Sequence, residues 1–401
     1  PVLIAGALIW FAVRLAEETP FILVIGGALL VACFVLGSIG WSLRVPGPTY
    51  GEPQAVNSDG PHTLLIVFDA YGRQDDLEDL FDTDIAGFVE DLEQRGFTVA
   101  SEATANYPFT YGSIAAMLNL DYTIEAGEIT EDELELMRAA LAGSVGLVPL
   151  FEEAGYETAY IQNAWAGSQC GPGIDWCIRD GLMARTLWNL GRMTIFSPLV
   201  EMIWADPFNS LSIDQLQDLG DYVVRPTPDD EPRFTFAHFL LPHFPLRLAA
   251  DCSRVDDGPL AIWGVQSDLL DERRGRYGAQ VTCVNRLVLD AIDRYIAAYP
   301  DAAIMITGDH GPLTTMNPDG SYADISAEAL AERMNIFSAY RFPGCAATVR
   351  PDITPVNGAR LLANCVLDAG LAEVPDRNLW IDEDGMGEAI DITSVIVGDG
   401  G

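Results

Sequence analysis

Four apolar runs limit most what this 401-residue chain can fold into: HTLLIVFDA (62–70), YETAYIQN (156–163), RFTFAHFLL (233–241) and AAIMITGD (302–309). Each reads as a strand buried on both faces. Between them lie amphipathic stretches with helical spacing: IAGFVEDLEQRG (85–96), EDELELMRAALAG (131–143), QVTCVNRLVLDAIDRYIAAY (280–299) and VNGARLLANCVLDAG (356–370). Several end at Gly, a favoured helix stop. Doubly buried strands alternating with helices predict an α/β domain with a mostly parallel central sheet flanked by helices. No internal repeat is present. The last stretch, IDEDGMGEAIDITSVIVGDGG, is acidic and Gly-rich, and a loose end is expected there.

Upstream of this domain the pattern changes. Residues 19–43 carry no charge, and FILVIGGALLVACFVLGSIGWSL (21–43) is long enough to cross a bilayer as a helix, with Trp41 and Arg44 at its boundary. PVLIAGALIWFAV (1–13), ending at Arg14, reads as the tail of another span, and the chain begins with Pro, so further upstream membrane helices are expected. VPGPTYGEPQAVNSDG (45–60) is a Pro- and Gly-rich linker. The expected organisation is therefore one or more transmembrane segments over 1–44, a linker over 45–60 and a folded domain over 61–395. Arg14 and Arg44, one on each side of the span, leave its orientation open.

Acidic residues number 59 and basic residues 22, a formal charge of −37, and every basic residue is Arg. Such a surface excludes nucleic acid as a partner, because phosphate backbones are bound by positive charge. It also fits a protein adapted to high salt, where screening removes self-repulsion. Cys33 falls in the apolar span. The other six, Cys170, Cys177, Cys252, Cys283, Cys345 and Cys365, are even in number, as in an oxidising, extracytoplasmic compartment. CGPGIDWC (170–177) can close a small loop; six buried thiols are the competing reading.

Chemistry-bearing residues gather in four segments: LLIVFDAYGR (64–73), NYPFTYGS (106–113), AHFLLPHFP (237–245) and IMITGDHGP (304–312). They hold three of the four histidines in the chain. In open α/β sheets ligands collect beyond the carboxyl ends of the strands, which is where Asp69, Asp309 and His310 fall. An Asp that closes a strand is most often a turn or helix cap; Asp-His followed by Gly-Pro is harder to explain that way. Two carboxylates and an imidazole make a candidate site for one divalent metal ion, zinc or manganese ahead of magnesium or calcium. Thr110 precedes SIAAML, a short helical run. A hydroxyl there has free amides and the positive dipole end beside it, a natural phosphate cradle, which makes Thr110 the candidate nucleophile and Ser113 the reserve. Simple capping by either is the plainer alternative. His238 and His243 are candidates for binding a phosphoryl oxygen or moving a proton to a leaving group. Arg73 either clamps a phosphate or pairs with a surface carboxylate. His62 has no assigned role.

The order FDAYGR, NYPFTYGS, AHFLLPHFP, TGDHGP resembles the sulfatase-like branch of the alkaline phosphatase superfamily. Its membrane-anchored members include lipoteichoic acid synthases and the phosphoethanolamine transferases that modify lipid A. ERMNIFSAYRFPG (332–344) and ITPVNGARLLANCVLDAG (353–370) extend the likeness over roughly residues 61–380. The resemblance implies an alkaline-phosphatase-like fold and a metal bound by Asp69, Asp309, His310 and the Thr110 oxygen. It also implies a phospho-threonine intermediate, substrate near His238 and His243, and a domain outside the cytoplasmic membrane. There are departures. The Cys/Ser-x-Pro-x-Arg motif that sulfatases convert to formylglycine is absent, which disfavours sulfate ester hydrolysis. No Asp-x-x-x-His second-metal motif is evident, so one tightly held metal is expected. Asp69 also stands where some relatives have Glu.

The expected protein is thus a membrane-anchored phosphotransferase that passes a phosphoryl-linked head group from a phosphate-ester donor to a lipid or glycan acceptor at a membrane-lipid surface. Water as acceptor would make it a phosphatase or phosphodiesterase. A membrane-anchored binding protein without turnover is the reading from a different class.

Overall fold

Along the first strand every residue from Thr63 to Asp69 is buried, yet alternate side chains enter different cores. Leu65 and Val67 join one cluster and Leu64, Ile66 and Phe68 the other. Met305 and Ile306, which pair with Leu65 and Ile66, divide in the same way, as do Phe236 and Phe239. Period-two alternation in a sheet covered on both faces produces this division. Each fully buried Leu, Ile or Phe contributes about 1.5–3 kcal/mol by leaving water, so these central strands hold the domain together.

The computed structural model describes residues 60–161, 170–178 apart from 172, then 216, 219–221, 231–255, 269–312, 314, 325–381 and 387–397. The expected membrane segment (1–44) and nearly all of the linker lie outside the described residues. Among those described, no helix is long and apolar enough to cross a membrane.

In chain order the described strands are β1 (Thr63–Asp69), β2 (Thr98–Val99), β3 (Gly127–Glu128), β4 (Glu157–Ile161), β5 (Trp176–Ile178), β6 (Arg233–Pro242), β7 (Ala303–Gly308), β8 (Ser338–Arg341), β9 (Leu379–Trp380) and β10 (Glu388–Asp391). Seven form one sheet in the order β2-β8-β7-β1-β6-β4-β5. Pairing is parallel from β7 through β5, while β8 and β2 run antiparallel at one edge. The mostly parallel α/β architecture read from the sequence is therefore the one observed. β3, β10 and β9 make a separate antiparallel sheet. Its strand β10 lies within the acidic, Gly-rich last stretch, whose end, 398–401, is outside the described residues. Ala389 and Ile392, both buried, tie that strand down.

The helix Thr110–Asn119 places Ile114, Ala115, Met117 and Leu118 in the first core, with Ala359, Leu362 and Ala363 of the helix Pro355–Leu367. The helix Leu270–Ala298 covers the opposite face through Tyr277, Val281, Val284, Val288 and Ile292. Disulfides join Cys170 to Cys177, Cys252 to Cys283 and Cys345 to Cys365, so all six cysteines beyond the apolar span are paired.

Candidate metal centre

Three adjacent parallel strands, β7, β1 and β6, end side by side. Val67 of β1 faces Thr307 on one side and His238 on the other, two residues before β1 closes at Asp69. Residues two apart share a face, so Asp69 lies on the face of Val67, the face of the first core. Asp309 follows β7 and is tied to β1 by its amide, which donates to Phe68 O at 3.1 Å. Ala70 then turns through a left-handed conformation (φ 62°), rare for a residue with a Cβ. That turn aims the Ala70 amide at Asp309 Oδ1, 3.0 Å away; the His310 amide donates to the same oxygen at 2.7 Å. Gly311 is dictated by close approach: a Cβ there would sit 2.0 Å from Glu332 O.

The helix Thr110–Asn119 packs on this same face, which brings its first residue to the strand ends. Phe109 is the N-cap and supplies no side-chain cap. Thr110 therefore does not cap; its Oγ1 lies 3.2 Å from His310 Nε2. Ser113, the reserve nucleophile, instead donates its hydroxyl to Tyr107 O at 2.8 Å.

His310 Nδ1–H donates to Gly311 O at 3.0 Å, which leaves the Nε2 lone pair for the centre. That nitrogen is 3.6 Å from Asp69 Oδ1 and 3.5 Å from Asp309 Oδ2. His238 Nε2 is 4.0 Å from Asp309 Oδ2. One ligand atom each of Asp69, His238 and Asp309 lie within 4.8 Å of one another. Asp69 Oδ1 and Asp309 Oδ2 are buried without a hydrogen-bond partner among the described residues. A buried carboxylate oxygen without a donor is costly, and a divalent cation supplies what these two oxygens lack. The donor set of carboxylates and imidazoles fits zinc or manganese.

Residues 61–336 match the sulfatase family. The chain belongs to the sulfatase family. It is an enzyme of the sulfatase-like alkaline phosphatase superfamily. No curated protein matches its sequence. Among solved structures, the C-terminal periplasmic domain of EptC from Escherichia coli is similar at 13% identity, over 88% of this chain and 99% of that one, with a TM-score of 0.50. Its complex with zinc gives 13% identity, the same coverage and a TM-score of 0.51. The lipooligosaccharide phosphoethanolamine transferase EptA from Neisseria meningitidis matches at 11% identity over 84% of this chain and 59% of that one, with a TM-score of 0.44. At these identities the EptC likeness is one of fold.

In this sulfatase-family enzyme the electrostatics follow from burial. Desolvation pushes the Asp69 carboxyl up to about 7, with the Arg333 guanidinium pulling the other way. Asp309 is pushed up to about 8 by burial and then by the charge of Asp69. His238 falls to about 3 through burial and the nearby His243; His310 is held well below its usual range by burial and by Arg333. Both imidazoles are thus neutral and able to ligate.

Arg333 is the functional neighbour that motif reading missed. It is buried, donates Nε–H to Pro108 O (2.5 Å) and Nη1–H to Gly311 O (2.9 Å), and brings Nη2 to 3.2 Å from His310 Nε2. It thereby ties the segment before Thr110 to the segment after His310. It lies in the last turn of the helix Ala327–Met334, and nothing in the sequence pattern marks it. His243 stands half-buried at the rim: its amide donates to Asp69 O at 3.0 Å and its ring Nδ1–H to Phe244 O at 2.7 Å. Arg73 donates Nε and Nη2 to the two oxygens of Asp75, each at 2.7 Å. His62, given no role, accepts from the Arg233 amide at 3.1 Å, far along the strands from the centre.

Proposed function

We propose that this enzyme is an extracytoplasmic phosphotransferase, anchored by residues 1–44 and joined through the linker 45–60 to a catalytic domain spanning 61–395. In this reading Thr110 is the nucleophile and Asp69, Asp309 and His310, with the Thr110 oxygen, hold one divalent metal; His238 stands close enough to share in that role. The observation that carries the proposal is the Thr110 hydroxyl beside His310 Nε2 and two buried carboxylates, at a helix start that no side chain caps.

A bound divalent cation would supply Lewis-acid stabilisation of charge developing on phosphoryl oxygens. The zinc complex of the EptC domain is in keeping with that choice of metal. The chain's own groups do the rest. The helix N-terminus at Thr110 orients an anionic phosphodiester. Thr110, its hydroxyl proton given up to solvent beforehand, forms a bond from Oγ1 to phosphorus as the bond from phosphorus to the donor's alcohol oxygen breaks, and in the second half it departs as the same oxyanion. One proton must reach that departing oxygen, and His243 at the rim is the group to deliver it. In the second half, an acceptor hydroxyl of a lipid or glycan attacks phosphorus, its proton returns to His243, and Thr110 is released. Absence of the formylglycine motif favours phosphate over sulfate esters.

The test is an acid quench of the metal-loaded chain during turnover of a phospholipid with a labelled head group. Mass spectrometry should find the phosphoryl-linked head group on Thr110. A Thr110→Ala chain that still released head group at the wild-type rate would overturn the proposal. Adding candidate lipid or glycan acceptors, with product analysis, distinguishes transfer from hydrolysis.

A further inference from the structure

The loop that carries His243 is poor in its own hydrogen bonds. Pro242 and Pro245 have no N–H, and the loop leaves the sheet where β6 loses register with β1 after Phe68. One side chain from the far helix Leu270–Ala298 compensates. The Gln280 amide donates to Pro242 O at 2.9 Å and to His243 O at 3.1 Å, and its oxygen accepts from the Arg247 amide at 2.9 Å and the Leu248 amide at 3.1 Å. All four hydrogen-bonding positions of a fully buried amide are thus spent on one segment, 242–248. On the same helix Tyr277 holds the loop after Asp69, donating to Ala70 O at 2.6 Å and accepting from the Gly72 amide at 3.1 Å. Asn285 accepts from the Tyr71 hydroxyl at 2.5 Å.

We infer that Gln280 is a positioning residue for substrate. It pins the carbonyl of His243 while Asp69 O pins the amide, and so sets where the imidazole stands at the rim. The inference rests on the proposed role of His243. It predicts a coupling that general support of the fold would not give. Gln280→Glu keeps the shape and both acceptor contacts but turns one carboxylate oxygen toward two carbonyls.

The full chain loaded with zinc is assayed on a phospholipid with a labelled head group, whose departing alkyl alcohol needs a proton, as wild type, Gln280→Glu, His243→Ala and the double variant. Gln280→Glu should lower kcat/KM on the order of 10- to 100-fold, but less than about twofold once His243 is already alanine, as expected of groups that act as one unit. In histidine-labelled protein, which gives only four ring signals, the His243 signal should move and that of His62 should stay. An equal loss in both backgrounds overturns the inference, and so does an unmoved His243 signal. If wild type turns over no phosphodiester, the proposed function fails, while the ring signals still decide the role of Gln280. Should Gln280→Glu not accumulate folded, Gln280→Asn, which keeps the amide but draws it back by a methylene, gives the same two readings.

Discussion

The Thr110 hydroxyl oxygen lies 3.2 Å from His310 Nε2, although 200 residues separate them in sequence. Because His310 Nδ1–H is committed to Gly311 O, Nε2 can only accept or ligate. The threonine and the imidazole therefore converge on one point that also faces Asp69 and Asp309.

That convergence sets the first prediction. Thr110→Ala should lower phosphodiester turnover at least about 10³-fold, as when a covalent nucleophile is removed, and should abolish the acid-stable protein adduct. Thr110→Ser should keep a measurable fraction of both. Unfolding of all three forms should agree closely, because Thr110 makes no cap.

Metal binding should be linked to protons. The carboxyls of Asp69 and Asp309 are pushed up to about 7 and about 8 from a usual 3.8, burial being the main cause. The metal-free fold therefore holds protons that the unfolded chain has released. Stability from this source is full below pH 3.8 and is lost as pH rises through about 7 to 8. A divalent ion must displace those protons. The rise in Tm on adding zinc should accordingly grow between mildly acidic and mildly alkaline pH, and calorimetry in buffers of different ionisation enthalpy should register proton release. A zinc-induced shift that is flat with pH would remove Asp69 and Asp309 from the ligand set.

Much of this was legible in the sequence, for a physical reason. A strand buried on both faces must be apolar throughout, so β1, β4, β6 and β7 announce themselves, and the residues that end them, Asp69 and Asp309-His310, stand out as polar breaks. The helix Leu270–Ala298 begins ten residues ahead of its expected start, since LDERRGRYGA is charged and contains two glycines. Gly278 is nevertheless needed there: a Cβ would meet Thr83 Oγ1 at 1.9 Å. The short strand β8, between β2 and β7, gave no strand signal of its own. Arg333 and Gln280 were invisible because a buried polar group that serves backbone carbonyls follows no periodicity. Its partners exist only once the chain has folded.

Arg333 offers a contrast that separates architecture from chemistry. Arg333→Met leaves Pro108 O and Gly311 O without their donors, a loss of about 2–4 kcal/mol. Arg341 makes a comparable set of carbonyl contacts, to Arg95 O, Ala302 O and Pro300 O. Arg341→Met should cost similar stability in urea unfolding. Only Arg333→Met should also depress kcat, by tenfold or more on the order expected when a reacting group is misplaced. Equal kcat for the two variants would reduce Arg333 to a structural strut.

The cross-link Cys345–Cys365 closes a loop with a sequence separation of 20. Chain-entropy arguments give such a loop about 3 kcal/mol. Cys345→Ser with Cys365→Ser should lower the unfolding midpoint accordingly, and reductant should lower the wild type by at least as much. No response to reductant would argue against these bridges and against an oxidising compartment.

Salt should stabilise this chain, although it weakens every attractive pair on the surface. Arg350 meets Asp352, Glu373 and Asp376, Arg377 meets Glu125, and Arg95 meets Asp91 and Asp293. Exposed pairs of this kind are worth only about 0–1 kcal/mol each. Against them stand 59 acidic residues and 22 arginines, so negative charge is in large excess over the cations able to offset it. Raising ionic strength from about 0.1 M to about 1 M shortens the screening length from about 10 Å to about 3 Å, which removes more repulsion than attraction when the net charge is −37. Urea midpoints measured in sodium chloride across that range should rise steadily. A fall would mean that the arginine pairs outweigh the carboxylate excess, and the high-salt reading of the composition would be wrong.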